Sequence, residues 1–475
     1  MARKKAFVFI DFDMSIRHFV LSGAFKSLEK EYDVTYVFHE DDTTTKTGIH
    51  FDWRSLGLER TLTLPVPRRR MGEWDRLFCI TMLRNQRGTP NYNAIKTMMA
   101  ANSRKMWRIR LYEIASLPGL FQIVRRYLLS KLGVHQGILD FLKRHKPDLV
   151  LHPTILVGLF INDLVKACEQ LSIPCALLMN SWDNPSSKAV LSAVPDRLVV
   201  WGGQTKRHAL EFMKFPEERI DCFGAAQFQV YREPVTESDA ELRRLFRVPE
   251  GKRIILYAGA SKGAHESRYL KLLDDCIENG STPDCHVIYR PHPWRGSLAE
   301  GEISFFDLGL KHITIDPALE DYYRRCLQGA TPGIEMADYR VTRKLLHLVE
   351  AVISPLSTIL LETTILGKPV LMYFPRKDLA SASGRHTAIV SRLIHFEEFW
   401  GVEGINICQE AEEFPGAVSR MMGQVGDARV RKTLLEHAAG HVVMDGPNYA
   451  DRLLALADEL TDRAPLRAAD AKAAA

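Results

Sequence analysis

The chain has 475 residues, 46% of them hydrophobic and 25% charged, with a net charge of +5. That composition belongs to an ordinary globular protein, too long for a single core and long enough for two α/β domains. Eight cysteines with no Cys-x-x-Cys pair argue against a disulfide frame or a zinc-thiolate site and suit a reducing compartment, and no run of about eighteen apolar residues offers a membrane span.

Residues 6–13 (Ala-Phe-Val-Phe-Ile-Asp-Phe-Asp) read as a buried parallel strand ending in two acids. The apolar run meets Asp11 too soon for the hydrophobic region of a signal peptide, so a cytoplasmic chain is expected. A loop bearing Ser15, Arg17 and His18 leads into a helix over about 19–30, followed by a strand over 33–38. No Gly-x-Gly-x-x-Gly accompanies this βαβ opening, so the ordinary dinucleotide fingerprint is absent. Asp11 and Asp13 share a strand face and in principle suit a cation. Asp11 lies deeper in the apolar run and reads as structural, and no metal site is expected. His18 reads either as a surface histidine at a helix start or as a chemical group.

Residues 68–131 carry fourteen Lys or Arg against three acids, a local excess of eleven that calls for an acidic partner surface. Two stretches, 106–112 and 120–129, interleave aromatic and aliphatic residues with arginines. They read either as a basic surface touching an anionic membrane leaflet or as packed helices whose arginine stems cover apolar surface. No nucleic-acid motif accompanies the charge, so nucleic acid is not an expected partner.

A strand over 147–153 with a proline stop, a helix over about 157–171 and a strand over 174–179 come next. The loop 180–188 (Asn-Ser-Trp-Asp-Asn-Pro-Ser-Ser-Lys) then stands at a strand's carboxyl end. It reads equally as a sugar or acceptor platform, with Asp183 in it, and as a plain turn built from turn-favouring residues. Residues 205–213 are predicted helical, 219–223 extended, and 232–252, charged and holding Pro234 and Pro249, read as a hinge.

A second α/β domain opens with a strand over 253–259 and a small-residue turn containing Ser261 and Lys262, from which a helix runs to about 277. That turn either lets the backbone approach a ligand or is a tight βα connection with a solvated lysine. Residues 286–294 (His-Val-Ile-Tyr-Arg-Pro-His-Pro-Trp) place Arg290 and His292 at the carboxyl end of a strand, where open α/β sheets bind ligands. The arginine fork suits phosphate, and the histidine adds a donor near neutral pH.

Residues 353–373 then read as strand, hydroxyl-rich turn, helix and strand, with Gly367 as helix stop and Pro369 beyond it. Ser354, Ser357 and Thr358 crowd the helix start, where unpaired amides favour an anion. Glu362, one turn past Thr358, is placed to accept from a ribose diol. The competing reading is a capped crossover in which the hydroxyls only cap.

Arg-Pro-His-Pro at 290–293, followed by Ser-x-x-Ser-Thr-x-x-x-Glu-x-x-x-x-Gly-Lys-Pro-Val at 354–370, resembles the nucleotide-binding half of GT-B glycosyltransferases. The nearest likeness is to bacterial surface-polysaccharide enzymes: CMP-sialic acid and CMP-Kdo transferases and CDP-glycerol glycerophosphotransferases. More loosely, 196–202 and 219–228 resemble the segment running into the linker of those enzymes.

The resemblance implies two Rossmann-like α/β domains facing each other across a cleft. The expected division is an acceptor domain over 1–235 with the basic insertion at about 68–131, a nucleotide-donor domain over 250–445, a helix over 446–465 crossing back, and a flexible tail over 466–475. It further implies glycosyl transfer from a nucleotide-sugar to a glycan, lipid-linked or protein acceptor with no resident cofactor, while the expected peripheral contact with an anionic membrane rests on the charge imbalance over 68–131. Asp13 and His18 are the expected bases, with Asp183 in reserve. Ser261, Lys262, Arg290, His292, Ser354, Ser357, Thr358 and Glu362 are expected to hold the donor. A phosphotransferase using a CDP-alcohol, a UDP-sugar 2-epimerase and a non-catalytic scaffold remain alternatives.

Overall fold

The computed structural model describes residues 3–40, 53–65, 68–103, 106–158, 160–188, 190–191, 193–259, 266–293, 303–328, 338–376 and 391–462. The chain divides into two compact units, residues 1–229 with 441–475, and residues 230–440.

The first unit is built on seven parallel strands: β1 (Lys5–Ile10), β2 (Asp33–His39), β3 (Thr61–Leu64), β4 (Leu149–Thr154), β5 (Cys175–Met179), β6 (Arg197–Val200) and β7 (Ile220–Cys222). They lie in the order β3-β2-β1-β4-β5-β6-β7. The continuous apolar runs are explained by burial on both faces. Phe7 and Phe9 enter one core, while Ala6, Val8 and Ile10 enter the other, as the two-residue period of a strand requires.

Four helices, Arg68–Gln86, Asn91–Ser103, Met106–Ala115 and Pro118–Leu132, fill the chain between β3 and the helix Gln136–His145. Buried Asp163 on the helix Ile161–Leu171 ties the first of them down. It accepts from Arg70 Nη2 at 2.7 Å and from Trp74 Nε1 at 3.0 Å. Among the described residues, no helix is long and apolar enough to cross a membrane.

The helix Tyr449–Asp462 also belongs to this unit, and its Tyr449, Leu453, Leu456 and Leu460 complete the core that holds Ala6, Val8 and Ile10. The returning chain runs so close to β7 that a Cβ on Gly224, at φ 86°, would overlap the carbonyl oxygen of Val443. A side chain there is excluded both by space and by backbone conformation.

The second unit carries β8 (Arg253–Ala258), β9 (Cys285–Arg290), β10 (Ile313–Ile315), β11 (Ala351–Ser354), β12 (Val370–Tyr373) and β13 (Ile405–Cys408). All are parallel, in the order β10-β9-β8-β11-β12-β13. Counted from its own first strand this is 3-2-1-4-5-6, the doubly wound arrangement with its topological switch point between β8 and β11. The first unit has the same order through its first six strands, which puts its switch point between β1 and β4.

Local differences from the sequence reading have simple causes. The helix expected over 19–30 is broken into a short turn at Asp13–Ser15, a π-helical turn at Ile16–Val20 and a helix at Lys26–Glu31. Gly23, at φ 78°, stands at the break. Pro153 does not end its strand, because β4 runs one residue further in register with β5. Residues 232–252, read as a hinge, include the helix Asp239–Leu245, opened by a reciprocal Ser238–Glu241 capping box. Gly367 has φ 66° just past the helix Ile359–Ile365, as a helix stop requires.

Candidate functional site

Parallel registry gathers the polar residues of the second unit into a row. Ala258 pairs with Arg290, and Tyr257 with Ile353, so Ser354 lies level with Ala258 and Arg290 at the carboxyl edge. Two inter-strand spacings separate Arg290 from Ser354, about 10 Å. Asp316, one residue past β10, extends the row on the far side of Arg290. The row spans the switch point.

Arg290 is buried and held from two directions. Its Nε donates to Asp316 Oδ2 at 2.5 Å and its Nη1 to Thr342 Oγ1 at 2.9 Å. Its Nη2 has no hydrogen-bond partner among the described residues. The fork expected to grip phosphate is therefore mostly committed to protein, leaving one buried nitrogen for a ligand. Asp316 is fully buried and does two jobs, since its Oδ1 also caps the helix Pro317–Leu327 through the Ala318 amide at 3.0 Å.

Ser354 and Ser357 hydroxyls approach each other at 3.4 Å, and Thr358, the N-cap residue, makes no side-chain capping bond. The reading in which these hydroxyls serve only as caps is not what the structure displays. Glu362 is buried on the helix Ile359–Ile365 and accepts a hydrogen bond from the Tyr231 hydroxyl. Burial, then the charge and hydrogen bond of Glu362, push the Tyr231 pKa well up, while Arg290 pulls the other way. Tyr231, Glu362 and Arg290 thus act on one another electrostatically. His292 lies two residues beyond β9, half-buried. Ser261 and Lys262 fall outside the described residues.

In the first unit the edge of β1 and β4 is occupied by buried charge. Asp11 Oδ2 faces His152 Nε2 at 3.3 Å, and His152 Nδ1 bonds the Phe9 carbonyl at 2.9 Å. Burial works against a charge on His152, but the charge and hydrogen bond of Asp11, with the Phe9 carbonyl, hold its pKa above the ordinary value. Asp11 is nearly inaccessible, in keeping with a structural role.

His18 stands on the π-helical turn, which is marked by bonds from Leu21 N to Ile16 O and from Ala24 N to Phe19 O. Such turns re-aim side chains and recur at functional sites. His18 Nδ1 lies 2.7 Å from Asn180 Oδ1. With the amide oxygen as acceptor, the proton sits on Nδ1 and the lone pair on Nε2. Burial first, then the neighbouring Arg17 charge, pushes the ring down to about 3 against the opposing bonds to Asn180, so His18 is neutral at physiological pH. Asp13, half-buried, begins the same segment five residues earlier.

Asp183 shares the loop of Asn180. Its Oδ2 accepts from Ser187 Oγ at 2.9 Å and lies 3.9 Å from Lys188 Nζ. That loop folds into a short helix at Asn184–Ser187, and Trp182 is buried against His441 at 5.9 Å between ring centroids. The indole therefore packs in the core of its unit and offers no exposed face to a sugar, which tells against the platform reading of the loop at Trp182. Asn184, Ser186 and Ser187 are buried with it.

Sequence reasoning missed Tyr231, Asp316, Thr342, His152 and the pairing role of Asn180. An Asp before a Pro at 316–317 was a legible helix start. Its second partner, Arg290, was not, because adjacency of β9 and β10 is needed to see it. Among the described residues, no group of three or more His, Cys, Asp or Glu is placed to hold a metal ion.

No protein-family model matches the sequence, and comparison with curated proteins gives no match either. Solved structures do match. A UDP-N-acetylglucosamine 2-epimerase from Rickettsia bellii is 12% identical, with a TM-score of 0.51 over 97% of this chain and 98% of its own. The S. aureus MnaA–UDP co-structure is 11% identical, with a TM-score of 0.50 over 97% of both chains. At such identity the likeness shows a shared fold, the two parallel-sheet α/β units of the GT-B type.

Proposed function

We propose that this chain is a glycosyltransferase that moves a sugar from a nucleotide-activated donor, either CMP-linked or a nucleoside-diphosphate sugar, to a hydroxyl on a glycan, a lipid-linked intermediate or a protein. The observation that carries the reading is the row at the second unit's switch point. A buried guanidinium nitrogen and the hydroxyls of Ser354, Ser357 and Thr358 stand where doubly wound sheets receive ligands. MnaA, of the same fold, is recorded with UDP, which supports a nucleotide in such a site.

In this reading the anomeric carbon–oxygen bond of the donor breaks and its electron pair leaves with the phosphate oxygen. Arg290 Nη2 and the hydroxyls stabilise that charge in a setting fixed beforehand by Asp316 and Thr342. His292, Ser261 and Lys262 belong to the same proposed donor group, and Glu362, paired with Tyr231, is the candidate for the ribose hydroxyls. The acceptor oxygen bonds the anomeric carbon and gives its proton to a base. Asp13 and His18 are the leading bases, with Asp183 in reserve. The neutral His18 ring is in the accepting state, but at about 3 its pKa is far below the optimum for a base at pH 7, so the approach of negative charge would have to raise it. Asp13, as a carboxylate, would become neutral on taking the proton.

Calorimetry against CMP, CDP, UDP and GDP, followed by turnover of the matching donor with and without a chelator, tests the proposal. Binding of at least one of these nucleotides, with chelator-resistant transfer from the matching donor to an acceptor, is expected. Asp13→Asn and His18→Asn should retain nucleotide affinity, and loss of the true base should lower turnover about 10²–10⁴-fold. Full activity in both retires the base assignment, and absence of any nucleotide binding retires the function. A second reading is favoured by the solved structures of this fold, which include 2-epimerases. Preference for UDP, with release of a rearranged sugar and no acceptor, would establish it, and phosphoryl rather than glycosyl transfer from a CDP-alcohol would point to the phosphotransferase.

A further inference from the structure

Apolar residues at i, i+3, i+4 and i+7 on a helix normally face a core. In the helices Met106–Ala115 and Pro118–Leu132 they face water. Trp107, Leu111 and Ile114 form one outward stripe, Leu120, Ile123 and Tyr127 a second, and Leu117 lies in the connection. Trp107 is 58% exposed and Ile123 67%. With Met106, this short segment holds eight of the thirteen large exposed hydrophobic residues among the described residues, so the exposure is concentrated and not scattered. Buried Ile109, Phe121 and Leu132 anchor the inner side of both helices.

The charges on the two helices are almost all cationic, although Glu73 and Asp75 of the helix Arg68–Gln86 lie close enough to act on Lys131 and Tyr112. Arg108 lies over the Trp107 ring at 5.5 Å and Lys131 over the Tyr127 ring at 4.7 Å, while Arg110 and Arg126 are exposed and Arg125 half-exposed. The one acid on the two helices, Glu113, is already engaged by Lys96 at 2.6 Å and by the Tyr92 hydroxyl at 3.0 Å. Aromatic rings with cations beside them and aliphatic side chains between are what the interfacial layer of a bilayer accepts. We infer that these two helices dock on the surface of an anionic membrane, with Trp107, Leu111, Ile114, Ile123 and Tyr127 entering the headgroup boundary and the arginines meeting lipid phosphates. Charge complementarity selects lipid over a second copy of this chain, whose equivalent face is equally cationic and would repel it.

The test is co-sedimentation of the full chain with vesicles of phosphatidylcholine alone and of phosphatidylcholine mixed with phosphatidylglycerol. Binding to the mixed vesicles should exceed binding to the neutral ones by about tenfold or more and weaken with salt. Trp107→Ser with Ile123→Ser, both solvent-facing, should lower binding at least about tenfold at low salt while circular dichroism stays unchanged. Arg125→Gln with Arg126→Gln should remove much of the preference for anionic lipid. Three results would overturn the inference: no vesicle binding, undiminished binding by the apolar double variant, or a dimer in sedimentation velocity that this variant dissolves.

Discussion

The two units share a strand order and use the same topological position in opposite ways. At the edge of β1 and β4 a buried carboxylate and a buried imidazole face each other, Asp11 against His152, and His152 also bonds the Phe9 carbonyl. At the edge of β9, β8 and β11 a cation is clamped by Asp316 and Thr342, its Nη2 without a hydrogen-bond partner among the described residues, in a row with Ser354 and Thr358, the latter making no capping bond. A switch point is thus only an opportunity. What sets the second unit's edge apart is a cation that cannot lose its proton, held rigidly by Asp316 and Thr342 beside the hydroxyls of Ser354 and Ser357. In the first unit the reactive candidate has moved off that edge, onto the π-helical turn that carries His18.

Removing one partner from each buried pair sharpens the contrast most. Asp316→Asn strands a guanidinium that cannot lose its proton and should destabilise the second unit by about 3–5 kcal/mol. Asp11→Asn leaves an imidazole that can become neutral, so the cost should stay nearer the roughly 1–3 kcal/mol of a lost buried partner. Hydrogen exchange read separately on β9 with β10 and on β1 with β4 reports the two units, and equal losses would dissolve the distinction. A smaller effect is expected at the hydroxyls. Ser357→Ala or Thr358→Val should weaken nucleotide binding by about tenfold or more through loss of a hydrogen bond to a charged group, at little cost in thermal stability. Unchanged affinity in both variants would return these residues to the crossover alone.

The mildest test is pH. His18 and His286, lowered to about 3 and about 4 chiefly by burial, bind fewer protons folded than unfolded. Their contribution is complete above an unfolded value of about 6.5 and is lost as pH falls towards those folded values. His152, with a raised pKa, works the other way: its contribution is present below the unfolded value and fades as pH rises through the folded one. Melting temperature should therefore fall between about pH 6.5 and 4, and His18→Gln should flatten that acid limb. An acid limb unchanged in the variant would remove His18 from the account.

What was legible in the sequence follows from which interactions are local. Apolar runs bounded by Gly and Pro announced nearly every strand, and the Gly367–Pro369 stop was visible because one φ angle decides it. The carboxyl-edge position of Arg290 was also readable, since Pro291 cannot continue a ladder. Partners supplied by strand adjacency were not. Asp316 reaches Arg290 across 26 residues, Asn180 reaches His18 across 162, and Tyr231 reaches Glu362 across 131. The π-helical turn was missed because nothing in the period of residues 13–24 distinguishes it from an ordinary helix start.

The way Gly224 admits the chain at Val443 has a consequence for synthesis. The first unit lacks its closing helix until the 211 residues Val230–Gly440 have been made, a delay of about 10–40 s at ribosomal speeds of roughly 5–20 residues per second. Through that interval the side chains that later meet Tyr449, Leu453 and Leu456 have no cover. The second unit, continuous in sequence, has all its residues before the first unit does.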